Sequence, residues 1–147
     1  MKMRQQWALI LLMAGVNAST LGQTYRSGTT PKISNLPATF MGTLPCADCP
    51  GIIYQINLLS NHRFASRMIY EERNRGFDEH GRWELARDGK MLILRTAKGR
   101  AEKFAVVDDN MLRQLDADGH EIPSGLNYDL KRSAEFAPLE TPDERRK

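Results

Sequence analysis

Phe40-Met41-Gly42-Thr43-Leu44-Pro45-Cys46-Ala47-Asp48-Cys49-Pro50-Gly51-Ile52-Ile53-Tyr54-Gln55-Ile56-Asn57-Leu58 reads as two strands joined by a corner. Ile52, Tyr54, Ile56 and Leu58 share one parity, and Gln55 and Asn57 take the other. Successive side chains of a strand point to opposite faces, so this alternation gives one apolar face and one polar face. Phe40-Met41-Gly42 reads as the end of the preceding strand. Between the two lies a segment bracketed by Pro45 and Pro50 that holds the only two cysteines of the chain.

The same period continues outward from this stretch. Phe64, Met68 and Tyr70 share a parity with Ser66 among them, and Arg63, Arg67 and Glu71 take the opposite face. Trp83 and Leu85 alternate with Arg82 and Glu84, and Met91-Leu92-Ile93-Leu94 is a continuous apolar run. Phe104 with Val106, Leu112 with Leu115, and Tyr128 with Leu130 complete the series. Turn signals fall between these segments: Ser60-Asn61-His62, Asn74-Arg75-Gly76, Glu79-His80-Gly81, Arg87-Asp88-Gly89, Lys98-Gly99, Asp108-Asp109-Asn110, Asp116-Ala117-Asp118-Gly119 and Pro123-Ser124-Gly125. Gly, Asn and Asp tolerate the backbone angles that tight turns need. The spacing leaves no room for crossover helices, so neighbours are antiparallel and joined by hairpins. An all-β, antiparallel up-and-down meander of about eight strands is expected over residues 38–132, closed as a barrel or folded as a tight sandwich. A barrel interior would be filled by Leu, Ile, Phe, Met and Trp83.

The 147 residues suit one domain, and the formal charge of +3 is modest. Lys and Arg are scattered, which argues against a nucleic-acid partner. Residues 1–18 read as a secretory signal peptide. Lys2 and Arg4 precede the apolar run Trp7–Ala14, and Val16-Asn17-Ala18 suits cleavage near Ala18. The run is too short to span a bilayer. Leu12-Met13-Ala14-Gly15 resembles the start of a lipobox, but Val16 stands where a lipid-accepting cysteine belongs, so no lipid anchor is expected. The expected location is the periplasm. Residues 19–37, rich in Ser, Thr, Gly and Pro, read as a flexible N-terminal arm, and residues 133–147 as a disordered tail.

Three chemistries compete for Cys46-Ala47-Asp48-Cys49. Redox catalysis wants a helix N-terminus or a neighbouring cation to lower a thiol pKa. Here prolines flank the pair, a strand follows, Asp48 sits between the thiols, and no Lys or Arg lies between Lys32 and Arg63. A soft-metal site is the second reading, because two thiolates at this spacing can face one ion and soft sulfur suits Cu(I) or Zn(II). A four-coordinate zinc site would need two further ligands, and the sequence has no second CxxC or HxxxH. Met41 is a further candidate ligand. A structural disulfide bracing the corner is the third, favoured by an oxidising compartment and still open to reduction or metal capture. His62, His80 and His120 are isolated and read as solvated turn residues. Asp78-Glu79 and Asp108-Asp109 read as turn carboxylates, and Asp116-Ala117-Asp118-Gly119 as a hairpin turn, since Asn127 stands where a calcium loop needs its last Glu. No catalytic constellation or phosphate loop is evident, so no enzyme activity is expected.

Phe40-x-Gly42-Thr43-Leu44-Pro45-Cys46-Ala47-Asp48-Cys49-Pro50-Gly51-Ile52 resembles the opening of the NlpE N-terminal domain family of copper-resistance and envelope-stress lipoproteins. The similarity continues through Leu58-Leu59, Phe64, Tyr70, Gly81-x-Trp83, Leu92-x-Leu94, Leu112, Leu115-Asp116-x-x-Gly119 and Asn127-Tyr128-x-Leu130. The resemblance implies an eight-stranded barrel similar to bacterial lipocalins, an envelope location, and links to copper homeostasis, surface sensing and stress signalling. It makes Cys46 and Cys49 the suspected metal or redox-sensitive site, with copper and an envelope stress sensor as partners. Family members are typically lipid-anchored and many carry a second, C-terminal domain; neither feature is evident in this sequence. Two other readings are carried forward: a lipocalin-like carrier of an apolar ligand with a structural disulfide, and a protein–protein module contacting an envelope sensor.

Overall fold

Side chains alternate between inside and outside along eight strands in the computed structural model, which describes residues 33–73 and 75–139. The strands are β1 (Ala38–Leu44), β2 (Ile52–Leu58), β3 (Arg63–Tyr70), β4 (Arg75–Leu85), β5 (Met91–Thr96), β6 (Ala101–Asp108), β7 (Met111–Gln114) and β8 (Asp129–Arg132). Each pairs antiparallel with the next, and β8 returns to β1, so the sheet closes as a barrel. The expected all-β up-and-down meander is therefore observed, and closure decides for a barrel over a sandwich. No helix occurs among the described residues.

All eight strands send apolar side chains to the axis. Phe40, Tyr54, Ile56, Leu58, Phe64, Trp83, Leu92, Leu94, Phe104, Val106, Leu112 and Leu130 form one cluster. An eight-stranded barrel is just wide enough for its own side chains to fill it. The indole N–H of Trp83 donates to the Leu59 carbonyl at 2.9 Å, so its one polar atom is satisfied at the barrel end.

The closing seam is short: only Phe40 with Arg132 and Met41 with Lys131 are in register between β1 and β8. Arg132 reinforces it. Its guanidinium pairs with Asp109 at 3.0 Å, donates to the carbonyls of Asp109 and Ser34 at 2.8 and 2.7 Å, and lies 5.2 Å from the centre of the Phe40 ring. Asp109 also accepts from the Ser34 amide at 2.7 Å and from the Ser34 hydroxyl.

Two sequence expectations are corrected here. The described ends of the arm and tail pack on the barrel. Ile33 joins the core cluster. Residues 133–139 cross the outer face of β1 and β2, where the Ala137 carbonyl accepts from both Gln55 and Asn57 at 2.7 Å and the Ala137 amide donates to the Thr39 hydroxyl at 2.9 Å. Composition does not reveal such partners for a polar backbone. The signal peptide, the arm up to residue 32 and residues 140–147 lie outside the described residues.

Glu79-His80-Gly81 is not a turn. β4 runs unbroken through it, so His80, Asp78 and Glu79 are strand residues. Asp78 pairs with Arg67 at 2.7 Å, and Glu79 with Arg100 at 2.9 Å. Gly81 marks a close approach instead. A Cβ there would press on the Arg95 carbonyl and come within 3.0 Å of the Phe64 ring. The turn expected at Asn74-Arg75-Gly76 falls earlier, with Glu71–Arg73 in it and Arg75 and Gly76 already opening β4.

Candidate functional site

The β1–β2 corner and the β3–β4 turn lie side by side at one end of the barrel, because Ile52 opens β2 opposite Tyr70 at the close of β3. This register brings residues 71–73 against the cysteine loop. The Glu71 amide donates to the Gly51 carbonyl at 3.1 Å, one step beyond the ladder.

Cys46 and Cys49 form a disulfide, with sulfurs 2.05 Å apart and Cα atoms 5.3 Å apart. It closes the corner between Leu44, the last residue of β1, and Ile52. Cys46 Sγ lies 3.6 Å from Asp48 Oδ1, and Cys49 Sγ lies 3.3 Å from the Gly51 carbonyl oxygen. In the disulfide neither sulfur carries a proton, so these are contacts without donation. The other oxygen of Asp48 pairs with the Arg73 guanidinium, which also donates to the Asp48 carbonyl at 3.4 Å. The two side chains are 69% and 45% exposed, so water and salt screen the pair.

The fold thus corrects one electrostatic expectation. The sequence around the cysteines holds no cation, yet β3–β4 supplies Arg73 across the corner. The pairing of Tyr70 with Ile52 is the signal that could have found it, because a hairpin turn just beyond a β2 partner must reach the β1–β2 corner.

The donor set suits a soft ion. One sulfur each from Cys46 and Cys49 and a carboxylate oxygen of Asp48 lie within 4.8 Å of one another. Thiolate ligands suit soft or borderline ions such as Cu(I) and Zn(II). The sulfurs must first be reduced, since a disulfide offers no thiolate. Met41 is not gathered into this cluster. It sits mid-strand on the outer face of β1, opposite Gln55 and Lys131, at 37% exposure. Leu44 is three steps further along the strand, roughly 10 Å at the usual rise.

The histidines are dispersed. His62 stacks on Trp83 with ring centres 4.7 Å apart, at the opposite end of the barrel. His80 is in β4. His120 lies in the β7–β8 connection, where Asp116, Asp118 and His120 place ligand atoms within 4.8 Å. This second cluster is a turn. Asp116 Oδ1 accepts from the amides of Asp118, Gly119 and His120 at 2.8–2.9 Å, which holds its carboxyl below the usual range, the His120 amide contributing most. The hairpin-turn reading of Asp116-Ala117-Asp118-Gly119 agrees with that geometry.

A further polar group, which sequence reasoning missed, points inward near the same end. The Tyr54 hydroxyl donates to Glu102, and burial followed by the Glu102 charge pushes its phenol well above the ordinary value. Tyr54 reads as a plain core aromatic in the alternation of β2, and only the β5–β6 pairing shows that Glu102 shares the inward face with Leu94.

Comparison with known proteins places this geometry. Lipoprotein NlpE of Escherichia coli strain K12 is 27% identical over 133 residues, covering 88% of this chain and 55% of that protein. The chain therefore spans about half the length of this curated relative. Among solved structures, a Shewanella oneidensis protein described as a lipoprotein superposes with a TM-score of 0.57 at 29% identity, over 67% of this chain and 90% of that one. The Cpx pathway activator NlpE from Escherichia coli superposes with a TM-score of 0.52 at 29% identity, over 73% of this chain and 54% of that one. Residues 40–125, from within β1 through the cysteine corner and into the β7–β8 connection, match the NlpE N-terminal domain, and the chain belongs to that family.

Proposed function

We propose that this is a non-enzymatic, periplasm-facing envelope protein whose Cys46–Cys49 pair is a reversible dithiol–disulfide site that holds Cu(I) when reduced. The observation that carries the reading is the pairing of both sulfurs with Asp48 on an exposed corner, every ligand atom within 4.8 Å of the others. Opening the disulfide takes two electrons and two protons from a dithiol reductant, which leaves as its own disulfide. The two thiols then give up their protons as their sulfurs take the ion. Asp48 adds negative charge beside a bound cation. The relationship to a Cpx pathway activator supports a signalling role, in which the state of this site is conveyed to an envelope stress sensor.

Anaerobic titration of the reduced protein with Cu(I) against a chromogenic competitor tests the metal reading. Wild type should take one ion per chain, and C46S/C49S should not compete. Equal affinity in that variant overturns the proposal. The carrier reading has less support. A pocket for an apolar ligand needs ~300 Å³ or more, whereas Phe40, Tyr54, Ile56, Leu58, Leu92, Leu94, Phe104, Leu112 and Leu130 all converge on the axis with no exposed surface.

A further inference from the structure

The cysteine corner offers two acceptors to the β3–β4 turn, and each lies beside a sulfur. The Gly51 carbonyl receives the Glu71 amide at 3.1 Å and is 3.3 Å from Cys49 Sγ. The Asp48 carboxylate receives Arg73 on one oxygen, while its other oxygen is 3.6 Å from Cys46 Sγ. The corner is thus fastened to the hairpin at two points, one next to each end of the disulfide.

We infer that the redox state of Cys46 and Cys49 is coupled to the β3–β4 hairpin through these two shared acceptors. This rests on the reading of the pair as a reversible site, though not on copper. Two effects act in the same direction. The disulfide holds the Cα atoms of Cys46 and Cys49 5.3 Å apart, and so fixes the loop that presents Asp48 and Gly51 to the hairpin. Reduction by a dithiol, two electrons and two protons, removes that tie. It also creates two S–H donors next to the acceptors that Arg73 and Glu71 use, and a thiol is a donor in its own right. Both changes weaken the fastening and loosen the turn at Glu71–Arg73. That hairpin carries Phe77, half exposed and packed edge-on against Tyr70 with ring centres 5.8 Å apart, so its mobility alters a surface patch as well as a turn.

The test is hydrogen–deuterium exchange at the Glu71 amide in the full chain, oxidised and after reduction by a dithiol, with the gain of two protons checked by mass. Reduction should speed exchange at Glu71 by about two- to tenfold, the range expected for loss of one hydrogen bond. The amides of Leu92 and Leu94, in β5, should keep their rates. Oxidised Arg73→Ala should show part of the same rise, and respond less to reduction. C46A/C49A, which has no tie, should exchange at Glu71 faster than oxidised wild type without reductant. An unchanged Glu71 rate in verified reduced protein overturns the coupling, and so does a rise shared equally by Leu92 and Leu94. A Glu71 response in a protein that binds no Cu(I) keeps the coupling and removes the metal reading; Cu(I) binding through the cysteines with no Glu71 response does the opposite.

Discussion

Asp48 and Arg73, 25 residues apart in sequence, form an ion pair that joins the cysteine corner to the β3–β4 turn. Both side chains are largely in water, so the pair contributes little to global stability: Arg73→Ala should cost no more than about 1 kcal/mol of unfolding free energy. The urea midpoint checks this. A loss well beyond that would mean that Arg73 supports the barrel itself and not merely the corner.

Thr39 and Asn57 face each other across β1 and β2 on the outside of the barrel, yet they are only 1% and 2% exposed. The segment 133–139 covers them. Thr39 Oγ1 donates to Asn57 Oδ1 at 3.1 Å, and Asn57 Nδ2 donates to the Ala137 carbonyl at 2.7 Å. Asn57→Ala leaves a buried hydroxyl with one fewer partner and should cost about 1–3 kcal/mol. Limited proteolysis should then cut near Ala137 faster than in wild type, because the strap has lost one of its holds.

Tyr54 is buried with its hydroxyl on Glu102, and its phenol is held well above the ordinary value, first by burial and then by that charge. A pKa raised in the folded state gives stability that is full below the unfolded value, near 10. That stability is lost as pH rises through the folded value. Wild type should therefore lose stability in strong alkali, and Tyr54→Phe should flatten that limb while costing about 1 kcal/mol at neutral pH. Phenolate absorbance should show one tyrosine ionising only with unfolding.

Asp129, the first residue of β8, faces Arg113 of β7 and pairs with it at 2.7 and 3.1 Å, and the hydrogen bonds from Arg113 hold its carboxyl below the usual range. Asp116 is lowered as well, chiefly by the His120 amide. Depressed carboxylates add stability above their unfolded value, near 3.9. They lose it as pH falls through the folded value. The urea midpoint should be nearly flat from neutral pH to about 5 and fall below about 4, with a shallower fall in Asp129→Asn.

Much of the barrel was legible in local pattern. The parity of Ile52, Tyr54, Ile56 and Leu58 placed β2 and its inward face, and all three of Tyr54, Ile56 and Leu58 are fully buried. Gly81 misled, because a glycine that admits a close backbone looks in sequence like one that makes a turn. The cysteines themselves were conspicuous, but their surroundings were not. Arg73 reaches Asp48 only through the register of β2 against β3, and Ala137 reaches Asn57 from 80 residues away. Such contacts follow from strand register and from closure of the sheet, which local periodicity does not encode. Met41, the further candidate ligand, lies mid-strand on the outer face of β1.

The most direct test of a reversible Cys46–Cys49 site is a thiol count on protein taken straight from the envelope, from cells grown with and without copper. Without copper, we expect no alkylatable thiol until a dithiol reductant releases two. With copper, two sulfurs should instead become alkylatable when a Cu(I) chelator is added, with no reductant. A disulfide of the same abundance under both conditions, insensitive to the chelator, would contradict a copper-holding site and leave only the structural brace.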